Sequence, residues 1–197
     1  MKKLCIQQVL ISSTLNSTLS PLLKASLSYG GDLRAKRKGR TARPLSAKHS
    51  HHIVFKVNKQ HLINRSFRHP KNFIRVQMLL KKYAKKFYVS VEQISYQHDH
   101  VHILARSNRK SHFHNFFRVF TGQIAQQFKV TDTPGDSVTR RPLWKHRPFT
   151  RIVKGWLGLS IIKNYIQLNE KEVTGIIVYR KERLKGLTAD DWKLLWS

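Results

Sequence analysis

Residues 100–106 read HVHILAR. Successive side chains of a strand point to opposite faces, so Val101, Ile103 and Ala105 share one side while His100 and His102 share the other. Working outward, residues 51–57 (HHIVFKV) alternate in the same way, with Ile53, Phe55 and Val57 on one face, and read as another strand. Between them, residues 72–87 place Phe73, Val76, Leu80, Ala84 and Phe87 on one helical stripe with lysines opposite, and residues 88–96 read as a strand. Downstream, Phe113, Phe116, Phe117, Phe120, Ile124 and Phe128 mark a second amphipathic helix. Their spacing is that of a packed helix face rather than a base-stacking platform. Residues 148–154 (PFTRIVK) suit a fourth strand and residues 160–173 a third helix, and Thr188 caps a short helix near the C-terminus. The order β-α-β-β-α-β-α predicts an α+β fold, a ferredoxin-like βαββαβ antiparallel sheet with helices on one face, followed by a helix that carries Tyr165.

The chain has 197 residues, with 38 Lys and Arg against 10 Asp and Glu and a formal net charge of +28. That imbalance predicts a polyanionic partner, nucleic acid first and acidic membrane surfaces second. Residues 30–48 contain almost nothing to bury and read as a basic arm. The expected organisation is an N-terminal arm over 1–48, one globular domain over 49–178, and a C-terminal tail with a short helix over 179–197. The apolar stretch at the N-terminus is interrupted by Gln7, Gln8, Ser12, Ser13, Thr14 and Asn16, too polar for the core of a signal peptide. No window is long and apolar enough for a transmembrane helix. The single cysteine, Cys5, rules out a disulfide framework and cysteine-based zinc fingers and suggests a reducing, intracellular location. The shortage of acids is as informative as the excess of bases. Two-metal phosphoryl chemistry needs several converging carboxylates, and the first ninety residues offer only Asp32. Nitrogen ligands and a nucleophile of another kind are therefore expected.

Four His-x-His pairs occur: His49/His51, His98/His100, His100/His102 and His112/His114. Only His100/His102 lies in a clean strand, where the two rings share a face. On pattern alone, a metal pair and ordinary strand histidines fit it equally. Tyr165 and Asn169 are four residues apart and share one face of a helix. A helical tyrosine by itself reads as a boundary residue hydrogen-bonded at its tip. Spacing does not show whether it meets the histidines.

Taken together, the His100-Val101-His102 strand followed by Tyr165 and Asn169 on a later helix resembles the HUH single-tyrosine transposases, and more closely the REP-associated tyrosine transposases. The resemblance extends over residues 30 to 178. It includes the arm ending KRKGRTARPLSAKH, the strand HHIVFKV, the block WKHRPFTRIVKGW and the helix KNYIQLNEKEV. It implies metal-assisted cleavage and rejoining of single-stranded or hairpin DNA, with Tyr165 as nucleophile forming a 5′-phosphotyrosine. His100, His102 and Asn169 would hold Mg²⁺ or Mn²⁺. Relatives often carry Asn directly before the histidine pair, where this chain has Asp99, which could orient a ligand from behind. Arg34, Lys36, Arg37, Lys38, Arg40 and Arg43 of the arm would grip DNA phosphates, with Lys145, His146, Arg147 and Arg151 near the site. A bacterial, cytoplasmic protein, nucleoid-associated when bound to DNA and either monomeric or homodimeric, is implied as well.

A different class of function, a non-catalytic single-stranded DNA or RNA binding protein of ferredoxin-like fold, also suits the charge. It lacks the Lys/Arg-Gly-Phe-x-Phe strand signature of RNA-recognition domains. A membrane-surface protein ranks last, because no basic amphipathic helix with an exposed aromatic face is evident.

Overall fold

The computed structural model describes residues 43–128 and 142–197. Strands β1 (Ser50–Lys56), β2 (Ser90–Tyr96), β3 (His100–Arg106) and β4 (Phe149–Val153) form one sheet in the order β2-β3-β1-β4, with every neighbouring pair antiparallel. Helix α1 (Pro70–Lys86) joins β1 to β2, α2 (Lys110–Phe128) follows β3, and α3 (Gly155–Val173) follows β4. A short helix α4 (Ala189–Leu195) ends the chain. This is the ferredoxin-like α+β arrangement. Its two crossover helices lie on one face of the sheet, and the tyrosine-bearing α3 covers the other.

Period-two alternation divides the sheet between two tasks. Ile53, Phe55, Val101, Ile103 and Ala105 point toward α1 and α2 and join the main core with all five phenylalanines of α2. Phe55 sits at its centre, edge-on to Phe116, Phe117 and Phe120 with ring centroids 6.3, 5.9 and 5.2 Å away. Burying a ring of this size stabilises the fold by about 2–3 kcal/mol. On the opposite face, Leu104 and Val153 meet Ile162 and Ile166 of α3 in a smaller cluster. The C-terminal segment packs on the outer side of the same helix through Leu168, Ile177, Leu184 and Leu195.

The ends of the elements follow local chemistry. Pro70 opens α1 at its first turn, where the missing N–H costs nothing. Tyr88 closes it in the left-handed conformation (φ 53°), with the N–H of Val89 returning to the carbonyl of Ala84. Only Lys154 separates β4 from α3, and Gly155 makes the turn with φ 68°. Space does not impose glycine there, since a Cβ would meet nothing within 4 Å; the backbone angle does. At the far end of α3, Gly175 (φ 76°) terminates the helix, and the N–H of Ile176 bonds the carbonyl of Lys171. Thr188 and Asp191 form the reciprocal capping box of α4. Among the described residues, no helix is long and apolar enough to cross a membrane.

Candidate active site

His100 and His102 project from β3 toward α3, as the alternation requires. The rings are 4.8 Å apart, nearly perpendicular. Asp99, immediately before the pair, accepts from His100 Nδ1 at 2.6 Å and is itself bridged by Lys56 at 3.3 Å. Burial alone would raise the Asp99 carboxyl, but the bonds and charges of His100 and Lys56 outweigh it and hold the group below its ordinary value. The bond leaves the other nitrogen of His100 turned away from Asp99.

His102 is almost fully buried. Its Nδ1 lies 3.0 Å from Nε2 of His52, a residue of β1 on the same face, and the two rings stack with centroids 5.2 Å apart. Its Nε2 is buried with no hydrogen-bond partner among the described residues. Burial, reinforced by the charges of His52, His100, Arg183 and Lys56, pushes the His102 pKa down to about 2. Burial, with Arg151 adding to it, pushes His52 down to about 4. Both imidazoles are therefore neutral at pH 7, the form in which histidine binds metal.

Tyr165 lies across the site on α3, with its ring edge-on to His102 at 5.7 Å and to His52 at 5.9 Å. The fold thus brings together the histidine pair and the tyrosine, which spacing alone left apart. Asn169, one turn further on, is buried and fully engaged. Its Nδ2 donates to the Tyr165 carbonyl at 2.6 Å, and its Oδ1 accepts from Arg183 Nη2 at 3.0 Å. The same guanidinium grips both carboxylate oxygens of Glu172 at 2.8 and 2.7 Å and stands 5.5 Å from the centroid of the Tyr165 ring. Arg183 holds this position with φ 58°, an unfavourable angle for a residue with a side chain.

The tyrosine helix is fixed to its own sheet by Glu170. That carboxylate accepts from Arg68 at 2.8 Å and from both the Ser95 hydroxyl and the Tyr96 N–H at 3.0 Å. Gln97 adds a bond to the Asn169 carbonyl at 2.8 Å.

The basic residues expected to meet DNA are dispersed. Arg34, Lys36, Arg37, Lys38 and Arg40 lie outside the described residues. Arg43 turns inward: its guanidinium lies 4.8 Å from the Phe117 ring centroid, and burial together with the charge of Arg147 lowers its pKa to about 10. Lys145 is exposed beside β1, its N–H bonded to the Lys56 carbonyl, and Arg147 is exposed in the same stretch. Arg151 is exposed on β4 and borders a cavity next to Tyr165.

Two neighbours of the site, His52 and Arg183, were absent from the expected set. In HHIVFKV, His52 falls between the core positions, on the outward face with Val54 and Lys56; that was the available signal. Its partnership with His102 depends on the pairing of β1 with β3. Arg183 lies beyond the stretch that carries the resemblance. His51, its neighbour in sequence, points the other way into the core, 4.6 Å from the Phe113 ring, and its Nε2 accepts the Ser46 N–H.

The buried, unpartnered Nε2 of His102 and the oriented ring of His100 suit a metal ion as a pair. Asn169 suits it less well, because its amide oxygen already accepts from a guanidinium. Among the described residues, no group of three or more His, Cys, Asp or Glu side chains is arranged to hold a metal ion, although His52, His100, His102 and Asp99 adjoin one another.

The model of a family described as "Transposase IS200 like" matches residues 44–169, more than half of the chain and ending on Asn169. No curated protein matches the chain.

Proposed function

The chain belongs to the IS200-like transposase family, and from that premise we propose that it cuts and rejoins single-stranded DNA beside a hairpin through Tyr165, with Mg²⁺ or Mn²⁺ held by His100 and His102. The observation that carries this reading is the Tyr165 ring against His102, whose buried Nε2 has no partner among the described residues. A phosphate brought to Tyr165 would lie beside the histidine pair.

In the reaction, Tyr165 Oη attacks the scissile phosphorus, a P–O bond to tyrosine forms, and the bond to the 3′-oxygen breaks. The phenolic proton passes to solvent and the departing oxygen takes one up. Attack by the 3′-hydroxyl of another strand reverses these steps, so joining needs no ATP. A divalent ion held by His100 and His102 would supply neutralisation of the non-bridging phosphate oxygens, easing attack by a phenol oxygen. The protein supplies the rest. A His102 nitrogen that accepts a metal carries no proton, so His102 Nδ1–H donates to His52 Nε2, and His52 keeps its own proton on Nδ1. Asn169 holds the tyrosine turn of α3 through its bond to the Tyr165 carbonyl, and its Oδ1, which accepts from Arg183, would be the third ligand of the ion.

The test is incubation with a hairpin oligonucleotide bearing single-stranded flanks, in Mg²⁺ or Mn²⁺, followed by denaturing electrophoresis. A denaturant-resistant protein–DNA adduct is expected. It should disappear in Tyr165→Phe and fall at least about a hundredfold in His102→Ala. An undiminished adduct in Tyr165→Phe would overturn the assignment of the nucleophile.

A further inference from the structure

Beside the tyrosine lies a cavity of about 450 Å³, between the β1–β4 side of the sheet and the first half of α3. Val54 and Phe149 form its sheet wall, Ile161 and Ile162 its helix wall, and Leu184 of the C-terminal segment borders it. Tyr165 and His102 also line it, so it adjoins the place where a reacting phosphate would sit. Its volume is within the usual range for small-molecule sites, roughly 300–1,000 Å³.

The chemistry of the walls selects the occupant. A phosphate would lose its hydration against Val54, Ile161, Ile162 and Leu184, with a partner only at the border, where Arg151 stands. A nucleobase has the opposite requirements: two apolar faces that stack well on a ring such as Phe149, and a polar edge that needs donors. Arg151 supplies a planar fork of N–H donors at the border, suited to acceptors on a base edge. A phosphodiester attacked by Tyr165 carries a nucleoside on each side, and one of the two bases lies within a nucleotide's reach of this opening.

We propose that the cavity is a nucleobase-binding subsite that takes the base of a nucleotide joined to the scissile phosphate. It rests on the reading of Tyr165 as the nucleophile and adds to it a protein-borne contact to the base next to the cut. Such a contact fixes which phosphate reaches the tyrosine, because seating the base sets the position of the backbone attached to it.

The experiment is a titration of the full-length protein, ¹³C-labelled at Val, Ile and Leu methyls, with the four homo-deoxydinucleoside monophosphates. Deoxyribose 5-phosphate and inorganic phosphate serve as base-free probes. Ring-current shifts are expected at Val54, Ile161, Ile162 and Leu184 with at least one dinucleotide and with neither base-free probe. Val54→Trp, which fills the cavity, should weaken this response about tenfold or more. If that variant does not fold, Ile161→Phe and the wild-type titration carry the test. Equal shifts with sugar phosphate, or dinucleotide shifts confined to methyls elsewhere, overturn the proposal. The readout does not depend on cleavage. Shifts at the cavity without any covalent adduct would uphold the subsite and reject the nucleophile, and an adduct without cavity shifts would do the reverse.

Discussion

At the scale of single residues, the proposed site leans on neighbours that would neither attack nor ligate. His52 accepts from His102 in the arrangement that leaves His102 Nε2 bare, so His52→Ala should weaken Mn²⁺ binding roughly 10–100-fold, the usual cost of removing a ligand's orienting partner. His52→Gln, which keeps an acceptor, should recover part of that loss; electron paramagnetic titration of free Mn²⁺ measures both. Arg183 has the opposite sign. If Asn169 Oδ1 is the proposed third ligand, the guanidinium that now holds it would compete with the ion, so Arg183→Gln should bind Mn²⁺ several-fold more tightly. The buried histidines also set the response to acid. His51, His52 and His102 are held neutral below their ordinary pKa of 6.5, at about 4, 4 and 2. On unfolding each regains its ordinary basicity, so between pH 6.5 and 4 the unfolded chain binds more protons and stability falls as pH falls. With three protons taken up, the slope is at most about 4 kcal/mol per pH unit, visible in the urea midpoint between pH 6 and 5. Of these residues, only His102 stood out in the sequence as a site residue. An imidazole's partner is set by which strands pair and in what register, and a strand's own alternation carries no information about that.

At the scale of elements, legibility follows periodicity. Strand β3 falls on 100–106 as its alternation predicts, and the stripe of five phenylalanines makes α2. The Thr188 cap was equally readable, because a capping box is local chemistry. Helix α3 begins at Gly155, five residues before the expected start at residue 160, because a single glycine turns strand into helix where a longer loop was expected. The attachment of α3 to the sheet was not readable, since Glu170 meets Arg68, Ser95 and Tyr96 only after folding. That carboxylate satisfies three donors, one of them a backbone N–H. Glu170→Ala should therefore cost about 2–3 kcal/mol in chemical denaturation and lower adduct yield, because the turn that bears Tyr165 loses its anchor. An unchanged denaturation midpoint would show that the apolar contacts of Ile162 and Ile166 hold the helix unaided.

At the scale of the whole molecule, charge and chemistry have separate causes. Four of the described acids have structural partners: Asp99 bonds His100, Glu170 anchors α3, Glu172 holds Arg183, and Asp191 caps α4 while pairing with Arg180. We expect the basic excess to meet DNA. If the protein neutralises about eight phosphates of a single strand, log affinity should fall against log salt with a slope of about −6, measured by anisotropy. A slope near zero would mean that the +28 charge does not drive binding. Lys154 alone links β4 to α3, and Glu170 fastens that helix to the sheet of the same copy, where Tyr165 faces that copy's His102. With the helix so tied, we expect each tyrosine to serve the histidines of its own copy. In genetic terms, Tyr165→Phe and His102→Ala fall in a single complementation group: equal mixtures of the two inactive proteins should form no adduct, and any restored product would reveal helices exchanged between copies.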